Sequence, residues 1–155
     1  MSRRPGGRCG CGQAANENGV IALERLFEPL GRFRPELLSI LRIVTALLFL
    51  QHATLKLFAF PAIEGMPSPE MFSGFWWIGV LELVGALMLI AGFWTLLAAF
   101  VLSGEMAVAY WMAHAPQSFY PLLNGGEAAV LFGFVFLYIA ASGPGAWAVD
   151  ERMRT

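Results

Sequence analysis

His52 and Lys56 stand four residues apart in one apolar run, and three later apolar runs each carry a single carboxylate, at Glu82, Glu105 and Glu127. His114 precedes the last of these runs, and Asn124 opens it. A histidine exchanges protons near neutral pH, a carboxylate can pass a proton on, and a lysine balances the carboxylate's charge. These residue types suit proton handling. Arg42, Thr45, Phe49, His52 and Lys56 recur at spacings of 3, 4, 3 and 4, a single helical stripe. Around Glu82 the same helical face carries Gly79, Gly85 and Ala86, small enough for a neighbouring helix to come close.

Each of these residues also has a plainer role open to it. Lys56 could extend to the outer membrane surface. Glu82 and Glu105 could be ion-paired with Lys56 or His52, simply holding helices together. Arg42 is expected to be a cytoplasmic anchor rather than part of a site. Asn124-Gly-Gly-Glu127 has the spacing of a capping box, with Asn124 as N-cap and Glu127 at the third helical position. Such a box would satisfy orphan N–H groups where water is scarce. It leaves Gly125 and Gly126 unexplained, because glycine is a poor helix former, and close approach of a ligand or helix is the expected reason for them.

The elements that must position these groups are membrane spans. Of 155 residues 57% are hydrophobic and 14% charged, against about 25% charged in an ordinary soluble domain. Mean hydropathy is +0.63. A spanning helix needs roughly 20 mostly apolar residues, and four segments qualify: Leu37–Phe60, Phe72–Gly92, Thr95–Ala113 and Asn124–Ser142. The fold expected is an all-α, polytopic, antiparallel four-helix transmembrane bundle. A short amphipathic helix over 19–34 precedes it, with Val20, Leu23, Leu26, Phe27 and Leu30 at helical spacing. Residues 1–18 form a cytoplasmic arm without an apolar signal core, 37–150 the four-span domain and 151–155 a tail. Cys9 and Cys11, as C-G-C, lack the second pair needed for zinc and lie too close for an ordinary disulfide. A net charge of −1 provides no field for nucleic acid.

Six arginines precede Leu37, two follow the fourth span, and the loops 61–71 and 115–123 hold no lysine or arginine. The positive-inside rule then places both termini in the cytoplasm. His52, Lys56, Glu82, Glu105, His114 and Glu127 accordingly all fall in or near the outer half of the bundle. Trp76, Trp77, Tyr110, Trp111 and Tyr120 form the outer aromatic belt, and Trp94 and Trp147 the inner one.

The stretches "LLFLQHATLKLF", "GVLELVGALMLIAGFWTLLAA" and "EMAVAYWMAHAPQSFYPLLNGGEAAVLFGFVFLYIAASGPGAWAVD" resemble the DoxX family of small four-helix membrane proteins over about Leu37 to Asp150. The carrying motifs are H-x-x-x-K, L-E-L-x-G, G-E-M-x-x-A, N-G-G-E and G-P-G-x-W. One departure is Ala148, where family members often have serine, and it is expected to loosen the cap at the end of the fourth span. The resemblance implies a location in a bacterial inner membrane and an oxidoreductase-like role linked to quinol or thiosulfate oxidation.

A quinone needs an apolar slot and a proton donor or acceptor near each carbonyl. In that reading His52 carries the proton, Glu82 and Glu105 relay it, and Lys56 holds their charge. His114, Asn124 and Glu127 bind ligand or pair charge, and a soluble or membrane redox protein is the partner. Haem or a metal is disfavoured: there is no haem-attachment motif, and no Glu-x-x-His pair of the di-iron type occurs. The alternative is a scaffold that binds a lipid-like molecule or tethers a redox partner, with the same cluster as structural glue. A self-associated oligomer is compatible with both. A proton-coupled transporter would need polar groups through the whole membrane, and "LMLIAGFW" and "TLLAAFVL" supply none.

Overall fold

The computed structural model describes residues 27–62 and 70–154. Cys9, Cys11, the arm 1–18 and most of the 19–34 segment lie outside them. The chain divides after Arg34 into two units. In the first, residues 27–31 are helical, with Phe27 and Leu30 exposed.

The second unit is helical throughout its regular structure among the described residues. Helix α1 is Arg34–Phe58, α2 is Gly74–Ala91 and α3 is Thr95–Ala109, continued by a π turn at Tyr110–His114. A short α4 (Pro121–Asn124), α5 (Glu127–Ser142) and α6 (Val149–Arg154) follow. Arg34–Phe58, Gly74–Ala91 and Thr95–His114 are long and apolar enough to cross a membrane, and α5, with 16 residues, is a shorter apolar helix. The observed ends differ from the expected spans by a few residues: α1 begins at Arg34 instead of Leu37, and α5 at Glu127 instead of Asn124.

The core is thin and made of small side chains: Ala46, Ala86 and Ala99 are fully buried beside Phe49, Leu89, Phe136 and Ile139. Val44, Leu48, Val84, Leu97, Phe100, Leu131 and Phe134 point outward. A soluble monomer rarely displays contiguous apolar surface on this scale; here the outer face is the one lipid covers. Small residues bring the helices together. The Ser103 hydroxyl of α3 donates to the Gly133 carbonyl of α5 at 2.8 Å. A Cβ on Gly85 would lie 2.9 Å from Leu102 of α3, and one on Gly79 would lie 2.9 Å from Lys56 Cβ of α1.

Helices α2 and α3 are antiparallel neighbours joined by a tight turn. Gly92 takes φ +67, and its N–H and that of Phe93 return to carbonyls of the last turn of α2, a Schellman-type ending. Trp94, at φ +45, begins α3. Its N–H and that of Thr95 are held by the two carboxylate oxygens of Asp150, at 2.8 and 2.9 Å. The chain's C-terminal segment thus caps a helix some fifty residues earlier.

Arg42 departs from its expected role as an anchor reaching for the cytoplasmic surface. It is fully buried. Its guanidinium donates to the carbonyls of Leu89, Ile90, Pro144 (2.8 Å) and Trp147 (2.5 Å). The physical reason is that α2 ends here and the loop after α5 passes beside it, so carbonyls of both point at the same place without enough backbone donors. A five-donor fork satisfies several at once. Ala148 is also buried, at a point where a Cβ on Gly92 would lie 2.6 Å from its own. The segment is closely packed there rather than loosened.

Candidate functional site

Phe49, His52 and Lys56 follow one stripe of α1, Glu82 comes from α2, Glu105 and Met106 from α3, and Phe132 from α5. They line one cavity of about 650 Å³. Its rim includes Phe75, Ile78, Val108 and Met112, all exposed on the outer surface of the bundle. The cavity therefore opens sideways, towards lipid. Most of its wall is apolar, and the polar groups gather around Lys56.

Lys56 Nζ donates to Glu82 Oε1 at 2.5 Å. It also lies 5.3 Å from the centre of the Phe75 ring, within reach of its π face. The ammonium therefore turns inward instead of extending to the surface. The close approach at Gly79 makes this geometry available, because a side chain there would strike the stem of Lys56. Glu82 is fully buried, and its second oxygen, Oε2, has no hydrogen-bond partner. Glu105 neighbours Lys56 and lies within side-chain hydrogen-bond reach of Glu82, and its Oε2 is likewise buried without a conventional donor. A buried polar atom without a partner calls for an explanation, and both of these belong to residues that line the cavity.

His52 contributes an imidazole held among aromatic rings, 6.1 Å from Phe49 and 5.7 Å edge-on from Phe132. His114 also lines the cavity. Nine residues beyond Glu105, about two and a half α-helical turns, His114 would sit on the opposite face of a regular helix. The wider π turn at Tyr110–His114 brings it round. Its Nδ1 lies 3.0 Å from the Asn124 carbonyl oxygen.

Asn124 and Glu127 do not form the expected capping box. Helix α5 starts one position after Gly126, which is its N-cap and has no side-chain cap bond. Asn124 ends α4 and organises the connection instead. Its Oδ1 accepts from the Gly126 N–H at 2.8 Å, and its Nδ2 donates to the Ser118 carbonyl at 2.6 Å. The reason is Gly125, whose φ of +67 turns the chain between two helices where the box would need one. A Cβ on Gly126 would come within 2.9 Å of the Tyr110 ring. Glu127 is exposed and does not line the cavity. Its charge sits at the positive end of the α5 dipole. The structure therefore gathers His52, Lys56, Glu82, Glu105 and His114 around one space, leaves Asn124 as the support of His114, and puts Glu127 outside.

Sequence reasoning missed the aromatic wall of Phe49, Phe75 and Phe132. Its members come from three helices, and only Phe49 carried a signal, as part of the α1 stripe. Among the described residues no group of three or more His, Cys, Asp or Glu is arranged to hold a metal ion.

The fold and cavity define an all-α polytopic membrane protein with a polar cluster facing an apolar, laterally open chamber. The chain belongs to the DoxX family: the family model named DoxX matches residues 37–115. It is also 42% identical over 131 residues to a protein of Haemophilus influenzae described only as "Uncharacterized protein", covering 79% of this chain and 95% of that one. No solved structure matches it.

Proposed function

We propose that the cavity is a binding site for a quinone-type molecule and that the protein serves as an oxidoreductase or as a subunit of a membrane redox complex. The observation that carries this reading is a lipid-accessible cavity in which an aromatic wall faces His52 and the Lys56, Glu82 and Glu105 cluster. An aromatic head would pack against Phe49, Phe75 and Phe132. His52 would exchange its proton, with Glu82 and Glu105 as relay and Lys56 as counter-charge. The tail would leave past Ile78 and Met112 into the bilayer. The arginine distribution favours both chain termini in the cytoplasm, and the site would then belong to the outer half of the membrane. The test is equilibrium binding of 2-decyl-1,4-benzoquinone to the full chain in lipid nanodiscs. Saturable binding is expected, weakened at least about tenfold by Ala109→Phe, which fills the cavity. If the unaltered protein does not bind, the reading fails.

The Lys56–Glu82 ion pair favours one other reading. Bridging α1 and α2 at 2.5 Å, it could be structural glue in a scaffold that tethers a redox partner. Stability and binding measured on the paired substitution described in the Discussion separate the two.

A further inference from the structure

Three ionisable side chains from three helices meet at one place in the cavity wall: Lys56 of α1, Glu82 of α2 and Glu105 of α3. Their charges do not balance. Lys56 Nζ donates to Glu82 Oε1 at 2.5 Å, and its single positive charge offsets one carboxylate, not two. Glu105 lies within side-chain hydrogen-bond reach of Glu82. An ionised carboxylate only accepts, so two of them form no hydrogen bond with each other, and so close together they repel. No N–H or O–H of another residue reaches Glu82 Oε2 or Glu105 Oε2, and Glu82 is fully buried. Among the described residues the surrounding elements bring no second fixed cation. His52 of α1 is held by ring contacts with Phe49 and Phe132, and His114 of the π turn meets the Asn124 carbonyl at 3.0 Å. Helix α5 contributes Ala128, Ala129 and Phe132, with Glu127 outside. Arg42 is committed to carbonyls about four turns away along α1.

We infer that Glu82 and Glu105 form a proton-binding site, in which one proton is held between the two carboxyl groups while Lys56 balances the charge that remains. The proton turns a repulsive contact into a charge-assisted O–H···O⁻ bond, which is shorter and stronger than a neutral one. It supplies from within the pair the donor that no neighbouring residue provides. It also makes the cluster neutral. Without it the three groups carry a net negative charge, with a second proton a net positive one, and a buried unbalanced charge is costly. The site binds its proton with no other ligand present, so it goes beyond the quinone-type reading and does not depend on it. For the chamber the consequence is a stored proton beside the aromatic wall. Its departure leaves a net negative charge in apolar surroundings, so its release is tied to whatever next neutralises the cluster.

The experiment is infrared spectroscopy at neutral pH on the full chain without added ligand, in dodecyl maltoside, a detergent with no carbonyl group. A protonated carboxyl group shows a C=O stretch that a carboxylate lacks, and each hydrogen bond it makes lowers the frequency. The difference between the unaltered protein and Glu105→Gln should contain one such band, lost in the variant, where the new amide still donates to Glu82. Taking the difference removes any band from Glu36, whose Oε2 is also buried without a donor. The double change Glu82→Leu with Lys56→Met takes away the partner of Glu105, so the band should persist and move to higher frequency. Circular dichroism checks the fold of both variants, and should one of them not fold, the other still decides. No band in the first difference overturns the inference, since both carboxyl groups are then ionised or the proton sits on His52. A band that stays in place in the double variant also overturns it, because the proton then belongs to Glu105 alone.

Discussion

Arg42 and the Lys56–Glu82 pair put charge in apolar surroundings in two different ways. Arg42 faces only backbone carbonyls, and its removal takes a donor from the end of α2 and from the loop that follows α5. Arg42→Met should therefore destabilise the bundle by at least about 2–3 kcal/mol, since each unsatisfied buried carbonyl costs on the order of 1–3 kcal/mol. Arg42→Lys should recover only part of this, because an ammonium lacks the planar fork. Thermal unfolding in detergent, followed by circular dichroism, checks both. The Lys56–Glu82 pair should behave differently. Glu82→Gln leaves Lys56 uncompensated and should cost about 3–5 kcal/mol. The double change Glu82→Leu with Lys56→Met should be nearly neutral for stability, as apolar replacement of a buried pair often is, yet should lose benzoquinone binding. Full binding by a well-folded double variant would assign the pair to structure alone. The stripe spacing on α1 and the small residues around Glu82 made this pairing legible in the sequence. The role of Arg42 was not, because its partners are main-chain carbonyls of α2 and of the G-P-G-x-W segment, and side-chain patterns do not report on carbonyls.

At the scale of the element, periodicity located all four apolar helices, while their ends followed backbone details that periodicity does not carry. Asn124 and Glu127 have the right spacing for a capping box, but Gly125 breaks the helix between them. The π turn at Tyr110–His114 likewise shifts the helical phase, so His114 reaches the cavity by a route that counting in steps of 3.6 would not find. Asp150 gave no helical-period signal because it caps another element. Asp150→Ala should free the N–H groups of Trp94 and Thr95 and cost about 1 kcal/mol, the usual worth of an N-cap side chain. Hydrogen exchange should report the loss selectively in the first turn of α3, with little change in α5.

For the whole molecule, the distribution of basic residues and the lipid-facing surface predict an orientation. All basic residues outside the membrane lie on one side of the proposed topology. With Cys9 and Cys11 replaced by serine, a cysteine at Gln117 should react with a membrane-impermeant thiol reagent in intact cells. One at Met153 should react only after permeabilisation. The reverse pattern would invert the bundle and move the cavity to the cytoplasmic half. The four-span plan was legible because lipid exposes apolar side chains on every outer face, which leaves long uninterrupted runs. The cavity was legible only through its charged members, since its aromatic wall looks like any other lipid-compatible sequence.

The clasp that the last residues make on Arg42 also has a consequence for how the chain is made. Synthesis runs from the N-terminus, so α1 enters the bilayer with Arg42 and Lys56 long before Glu82, Pro144, Trp147 or Asp150 exist. An unpartnered basic residue within a span opposes insertion, by up to roughly 2.5–3.5 kcal/mol at its centre and by less towards its ends, where Lys56 stands. Helix α1 alone is thus a hesitant passenger, expected to linger beside the insertion machinery until α2 delivers a counter-charge and the final turn delivers the carbonyls. A chain halted before Pro144 would carry its arginine unanswered, and cellular quality control should clear it faster than the full-length protein. Pulse-chase turnover of the two would show whether the C-terminal clasp acts as the signal that assembly is complete.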